Sequence, residues 1–232
     1  MLNVAIIPAR GGSKGVPKKN LKKVNGISLL GRAVNSSKVN NIDKIFVSTD
    51  DHQIKKEALR YGAEVPFYRS KALSNDDAIA EDVIKDVIEK IESFYCKKIN
   101  HVVYLEPTSP FRNREHVTMA IDRMLEGKFN SIVSVCPLER KPENIFRKSN
   151  VLYNYIVEPN NKFNKRQDMN KLCRLNSAIY VFRKNDFIKQ KKLIIDPIGW
   201  IEMTQEESIN IDTHLDLNIA RSISKNIDKK LK

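Results

Sequence analysis

The chain has 232 residues, 41% of them hydrophobic, and a formal net charge of +13 from 41 basic and 28 acidic side chains. That length and apolar content fit one large α/β domain with a real core, and no apolar run approaches the roughly 20 residues that span a bilayer. The basic excess lies in scattered pairs such as Lys18-Lys19, Lys55-Lys56 and Lys191-Lys192, with no basic stripe interleaved with aromatics. It favours a small anionic ligand over nucleic acid.

Strands and helices are predicted in alternation. Val4-Ala5-Ile6-Ile7 reads as a short buried strand. This apolar start is too short for a signal peptide and is interrupted by Pro8 and Arg10, which predicts a cytoplasmic protein. Residues 27–38 read as a helix, 44–49 as a strand closed by Asp50, and 52–61 as a helix stopped by Gly62. Val65-Pro66-Phe67 reads as a third strand, with Pro66 arguing for an edge position. Over residues 76–95, Val83, Ile84, Val87, Ile88 and Ile91 recur at helical spacing. A strand follows at 101–105, a helix at 115–125, a strand at 131–135, and a final helix marked by Leu215, Ile219 and Ile223.

This order predicts a Rossmann-like, three-layer α/β/α domain spanning residues 1–232, with a mostly parallel sheet. Ligands of such sheets bind beyond the carboxyl ends of the strands. Four polar segments are expected there: residues 10–20, 48–50, 106–114 and, if a last strand ends there, 210–213. Residues 138–174 break the alternation. They are polar and laced with aromatics, and a loop of that length in a compact domain is usually functional or an interface arm. The three cysteines are far apart and the four histidines do not cluster with them, so no zinc site is expected.

The segment directly after the first strand carries the strongest chemical signal. In Pro8-Ala9-Arg10-Gly11-Gly12-Ser13-Lys14-Gly15-Val16-Pro17-Lys18-Lys19-Asn20, three glycines let backbone N–H groups approach an anion. Arg10, Lys14 and Lys19 add full positive charge. The spacing matches neither a Walker A loop nor a dinucleotide fingerprint.

Further along stand Ser48-Thr49-Asp50, the Arg69…Leu73…Asp76 stretch, Glu106-Pro107-Thr108-Ser109-Pro110-Phe111-Arg112, Arg166-Gln167, Asn176-Ser177-Ala178-Ile179-Tyr180 and Ser208-Ile209-Asn210-Ile211-Asp212-Thr213. Together with the glycine-rich loop, in this order over nearly the whole chain, they resemble the acylneuraminate cytidylyltransferases, including relatives acting on legionaminic and pseudaminic acids. The resemblance implies a nucleotidyltransferase fold and a Mg²⁺-dependent transfer of CMP from CTP to the anomeric hydroxyl of a nonulosonic acid, with release of pyrophosphate. It also implies a homodimer in which residues 138–174 form an arm that helps build the partner's site.

On that resemblance Arg10, Gly11, Gly12, Ser13, Lys14, Lys19, Asn20, Arg69 and Ala80 hold the nucleotide. Glu106, Thr108, Ser109, Arg166, Gln167 and Asn176 face the acceptor. Asp212 and Asn210 hold the metal, with Arg10, Lys19 and Asp212 carrying catalysis and Asp212 also a candidate base. Three positions depart from the family's usual residues: Glu106 replaces Gln, Ser177 replaces Gly and Asn210 replaces Asp. Thr213-x-x-Asp216 also reads as a capping box at the start of the last helix. Two alternatives stay open from the residues alone, a Kdo cytidylyltransferase and a noncatalytic nucleotide-sugar-binding relative.

Overall fold

The computed structural model describes residues 1–140, 142–148, 153–155 and 172–230. Among the described residues the strands are β1 (Leu2–Pro8), β2 (Lys23–Val24), β3 (Ile27–Ser28), β4 (Lys44–Ser48), β5 (Ile99–Leu105), β6 (Ser131–Pro137), β7 (Phe146–Lys148), β8 (Tyr153–Tyr155), β9 (Cys173–Arg183) and β10 (Ile198–Glu202). Among the described residues the α-helices are α1 (Leu29–Ser36), α2 (His52–Arg60), α3 (Ala80–Tyr95), α4 (Arg114–Leu125), α5 (Lys184–Gln190) and α6 (His214–Lys230). Among the described residues no helix is long and apolar enough to cross a membrane.

Six strands form one sheet in the order β10-β6-β9-β5-β1-β4. β1 pairs parallel with β4 and β5, and β10 pairs parallel with β6. Only β9 is antiparallel to its neighbours. The expected mostly parallel sheet is present. Because side chains alternate across a strand, β1 divides its residues between two cores. Ala5 and Ile7 join Val117, Ile121 and Met124 of α4 on one face. Val4 and Ile6 join Ile84, Ile88 and Ile91 of α3 on the other.

Several sequence expectations are corrected. Val65-Pro66-Phe67 is not a strand: a single parallel bridge joins Phe46 to Glu64, and Pro66 has no N–H with which to continue the ladder. The helix expected from residue 76 begins at Ala80, because Ile79 is still extended. The helix expected over 27–38 is confined to α1, capped by the Ser28 hydroxyl on the Gly31 N–H. No strand ends at residues 210–213; that segment is held instead by the Ile211 N–H donating to the Thr108 carbonyl. Strand β10 was not anticipated at all. The capping box before α6 is formed: Thr213 N–H donates to Asp216 and Asp216 N–H to the Thr213 hydroxyl. The described residues of the expected arm include the antiparallel β7–β8 pair.

A third, smaller apolar cluster lies beneath the strand ends. It joins Val16 of the glycine-rich loop, Val24, Leu29, Phe111, Ile211 and, from α6, Leu217, Ala220 and Ile227. Arg32 on α1 fastens α6 from the side by a two-pronged contact to Asp228, at 3.0 and 2.7 Å. The cluster draws together three polar segments that share no hydrogen-bonded ladder. Ile211 is fully buried within it. Ile211→Ala is expected to lower unfolding free energy by about 2–5 kcal/mol, measured as a lower urea midpoint.

Candidate active site

Beyond the carboxyl ends of β1 and β5 lies a cleft of about 510 Å³. Its lining includes Arg10, Ser13, Lys14, Gly15, Lys19 and Asn20 from the glycine-rich loop, Arg69, Asp76, Ala80 and Tyr104, and Glu106, Thr108 and Asp212. Residues far apart in sequence thus meet on one wall.

The loop is shaped by close backbone approaches. The Gly11 N–H donates to Asp50 Oδ1 at 2.8 Å, and a Cβ on Gly11 would lie 2.8 Å from the Asp51 Cβ. A Cβ on Gly15 would collide with the Asp212 carbonyl oxygen, so only glycine lets the loop close onto the segment before α6. Gly12 has open space around it. Neither Gly11 nor Gly12 lines the cleft; they set the loop's path. Asn20, buried, donates its amide to the Arg10 carbonyl at 3.0 Å and so pins the loop's far end to its beginning.

The cations are paired with acids. Asp76 bridges Arg10 at 2.7 Å and Lys14 at 2.5 Å. Hydrogen bonds from Lys14 and Arg10 hold its carboxyl below the ordinary carboxylate range. Arg10 also donates to the Asn75 carbonyl. Lys19 Nζ lies 3.0 Å from Asp212 Oδ1.

Arg69 is buried, which pulls its pKa below the ordinary arginine value. It donates from Nε to the Ser48 hydroxyl at 3.0 Å and from a terminal nitrogen to the Ser48 carbonyl at 2.7 Å.

Glu106 is partly buried, and burial raises its pKa above the ordinary glutamate value. Thr108 donates its hydroxyl to Glu106 Oε2 at 3.3 Å. Behind it the buried Arg112 donates to the Glu106 carbonyl at 2.9 Å, the Ala178 carbonyl at 2.8 Å and the Ser36 hydroxyl at 3.0 Å. Burial pushes the Arg112 pKa down to about 9.

A second cavity of about 350 Å³ adjoins the first. It is lined by Ala80, Glu81, Tyr104, Glu106, Tyr180, Lys192, Leu193 and Ile194. Ala80, Tyr104 and Glu106 line both spaces.

Other expected site residues are placed differently. Ser109 is buried outside both cavities, its hydroxyl without a partner among the described residues. Asn176 is also buried away from them. It accepts from the Ser134 hydroxyl at 2.5 Å and donates to the Ser208 hydroxyl at 2.8 Å. Its expected contact with an acceptor gives way to a positioning role, because both ends of its amide are engaged inside the protein. Ser177, at the usual glycine position, has φ +59°, the left-handed conformation that glycine adopts most easily. Arg166 and Gln167 lie outside the described residues.

Asn210 and Asp212 face one another, as their spacing in an extended segment predicts. Asn210 Nδ2 donates to Asp212 Oδ2 at 2.9 Å. Asn210 Oδ1 is buried with no hydrogen-bond partner among the described residues. One carboxylate and one neutral oxygen suit Mg²⁺, which usually takes one or two carboxylates and completes its shell with phosphate and water.

Asp76 and Tyr104 line the cleft without having been given a role there from the sequence. An acid seven residues after Arg69 was visible as part of a matching stretch, but its bridge to two loop cations depends on the tertiary fold.

The cytidylyltransferase family's sequence profile matches residues 4–207. The chain is 33% identical over 231 residues to a CMP-N,N'-diacetyllegionaminic acid synthase of Legionella pneumophila, covering 95% of each chain. It is 27% identical over 226 residues to a pseudaminic acid cytidylyltransferase of Campylobacter jejuni, covering 97% of each. A solved CMP:2-keto-3-deoxy-manno-octonic acid synthetase in complex with CTP shares the fold at 16% identity, with a TM-score of 0.69 over 97% of this chain and 99% of that one. With the profile spanning most of its length and the cation-lined cleft at the ends of β1 and β5, the chain belongs to the cytidylyltransferase family of nucleotidyltransferases.

Proposed function

We propose that the protein transfers CMP from CTP to the anomeric hydroxyl of a nonulosonic, sialic-type acid and releases pyrophosphate, as a cytoplasmic homodimer that uses Mg²⁺. The observation that carries this reading is the joining of two cavities at Glu106: one lined by Arg10, Lys14 and Lys19, the other by Tyr104, Tyr180, Leu193 and Ile194 with Lys192 and, besides Glu106 itself, Glu81. The first suits a triphosphate. The second suits a sugar acid, with Lys192 for the carboxylate and Tyr104, Tyr180, Leu193 and Ile194 for apolar substituents. The named activities of two relatives, a CMP-N,N'-diacetyllegionaminic acid synthase and a pseudaminic acid cytidylyltransferase, agree with it.

In this reading the triphosphate competes with Asp76 for Arg10 and Lys14, and its charge exchanges one anion for another. Lys19 stands nearest the segment bearing Asp212, where charge grows as the α–β phosphate bond breaks. Preorganised cations stabilise such charge because they need no reorientation during reaction. Asp212 and Asn210 Oδ1 would hold Mg²⁺, which neutralises phosphate charge when bound. Exposed Leu175, Ile198 and Trp200, on strands flanking residues 138–174, support a second copy packing near the arm.

The direct test is pyrophosphate release from CTP and Mg²⁺ with sialic, legionaminic and pseudaminic acids and Kdo as separate acceptors. Release with a nine-carbon acid is the expected result. Release with Kdo alone would establish the rival acceptor, and silence with intact CTP binding would establish a noncatalytic binder.

Lys19→Ala is expected to lower turnover by two to three orders of magnitude, about 3–4 kcal/mol of barrier. Its partner Asp212 is largely exposed, so thermal stability should change by less than about 1 kcal/mol. Gly15→Ala is expected to displace Asp212 and reduce kcat/KM for CTP at least about tenfold, since misplaced groups lose reactive geometry. Asn210→Asp replaces an amide-to-carboxylate hydrogen bond with two facing carboxylates. Its melting temperature in chelator should fall below that of the unaltered protein and recover with Mg²⁺. The Mg²⁺ concentration giving half-maximal turnover should also fall. An unchanged Mg²⁺ titration would place residue 210 outside the metal's reach.

A further inference from the structure

Three acids line the nucleotide cleft: Asp76, Glu106 and Asp212. Asp76 is bound to two cations. Asp212 has one oxygen on the Lys19 ammonium and the other on the Asn210 amide, contacts that draw electron density away from a base. Glu106 differs from both. It is the only one of the three that also lines the second cavity. Oε2 accepts a long bond from Thr108, and Oε1 has no hydrogen-bond partner among the described residues. Arg112 fixes the residue through its backbone carbonyl and makes no hydrogen bond to its carboxylate. The carboxyl group therefore stands at the seam between the two spaces with one oxygen uncommitted.

We propose that Glu106 is the general base that takes the proton from the acceptor's attacking hydroxyl. This rests on the reading that CTP fills the first cavity and the sugar acid the second. An acceptor reaching from the second cavity to the α-phosphorus in the first must bring its hydroxyl past the seam. The hydroxyl oxygen forms a bond to the α-phosphorus, and the bond from that phosphorus to the α–β bridging oxygen breaks. Pyrophosphate leaves with the electron pair, and the hydroxyl proton passes to Glu106. A glutamine here could position a hydroxyl but could not accept its proton.

The charged and titratable groups around Glu106 act in opposite directions. Burial is the largest influence and favours the protonated acid, as does Asp212; Arg112 and Lys19 favour the carboxylate. Tyr104 on β5, Tyr180 on β9, Glu81 on α3 and Lys192 after α5 also line the space it faces. A base works when deprotonated. Activity must therefore fall as pH drops through its pKa, and the raised pKa places that fall above the usual carboxylate range.

The test is the pH dependence of kcat at saturating CTP, Mg²⁺ and the best nonulosonic acid, for the unaltered protein, E106Q and E106D, with CTP affinity measured by calorimetry. The unaltered protein should lose activity on the acid side. E106Q should bind CTP normally, turn over about 100-fold more slowly or worse, in line with general-base losses, and lack the acid limb. E106D should be slower than the unaltered protein while keeping the limb. An E106Q kcat within threefold of the unaltered protein's, or an unchanged acid limb in E106Q, overturns the base assignment. A kcat of the unaltered protein that shows no acid limb also overturns it, whether or not E106Q folds. Silence of the unaltered protein with every acceptor overturns the proposed function itself, and the base assignment with it.

Discussion

The active-site cleft depends on the small apolar cluster under the strand ends. Three polar segments reach the cleft, and each contributes one buried side chain to that cluster: Val16, Phe111 and Ile211. Val16 lies between Lys14 and Lys19, Phe111 follows Thr108, and Ile211 separates Asn210 from Asp212. The segments have few backbone bonds to one another, so apolar burial is what holds their charged neighbours in register. Each such side chain contributes about 1.5–3 kcal/mol when fully buried, enough to position groups that would otherwise repel or drift. Helix α6 closes the cluster with Leu217, Ala220 and Ile227. It thereby governs the site while contributing no residue to the cleft.

A second layer of organisation lies in buried arginines. Arg69 spans the end of β4, and Arg112 links the end of β5 to β9 through the carbonyls of Glu106 and Ala178. Neither uses a carboxylate partner for these bonds. Their charges are held by carbonyl and hydroxyl oxygens, which makes their geometry independent of which anion occupies the cleft. The exposed cations behave differently. Arg10, Lys14 and Lys19 rest on Asp76 and Asp212 in the free protein, contacts on the solvent side that a more highly charged ligand can replace.

The legible parts of this fold are those where one local signal decides. Helix α3 shows its buried stripe directly, and β1 is an apolar run ending at a proline and an arginine. Strand β9 was hidden because Asn176 and Ser177 interrupt its apolar pattern. The polar side chains are satisfied across the sheet by Ser134 and Ser208, and a positive φ at Ser177 accompanies the register shift. Strand β10 is only five residues long and carries Gly199, whose missing side chain makes room for Ile132 and Phe129. In the site, the glycine-rich loop, Glu106 and Asp212 were recognisable from residue type and order. The inward turn of Asn176 was not, because it depends on partners more than 30 residues away on other elements.

The contact between the glycine-rich loop and the segment before α6 also orders events during synthesis. Lys19 and Asp212 are 193 residues apart, and Gly15 packs directly against the Asp212 carbonyl. A chain emerging from the ribosome presents its cationic loop long before the residues that complete the cleft. The central strands can pair while the cleft is still open on one side. Closure of so long a loop adds little entropic cost beyond that already met by the sheet. The shape of the cleft thus arrives only once α6 has been made and docks, and a partly made chain carries the charges of the site without that shape.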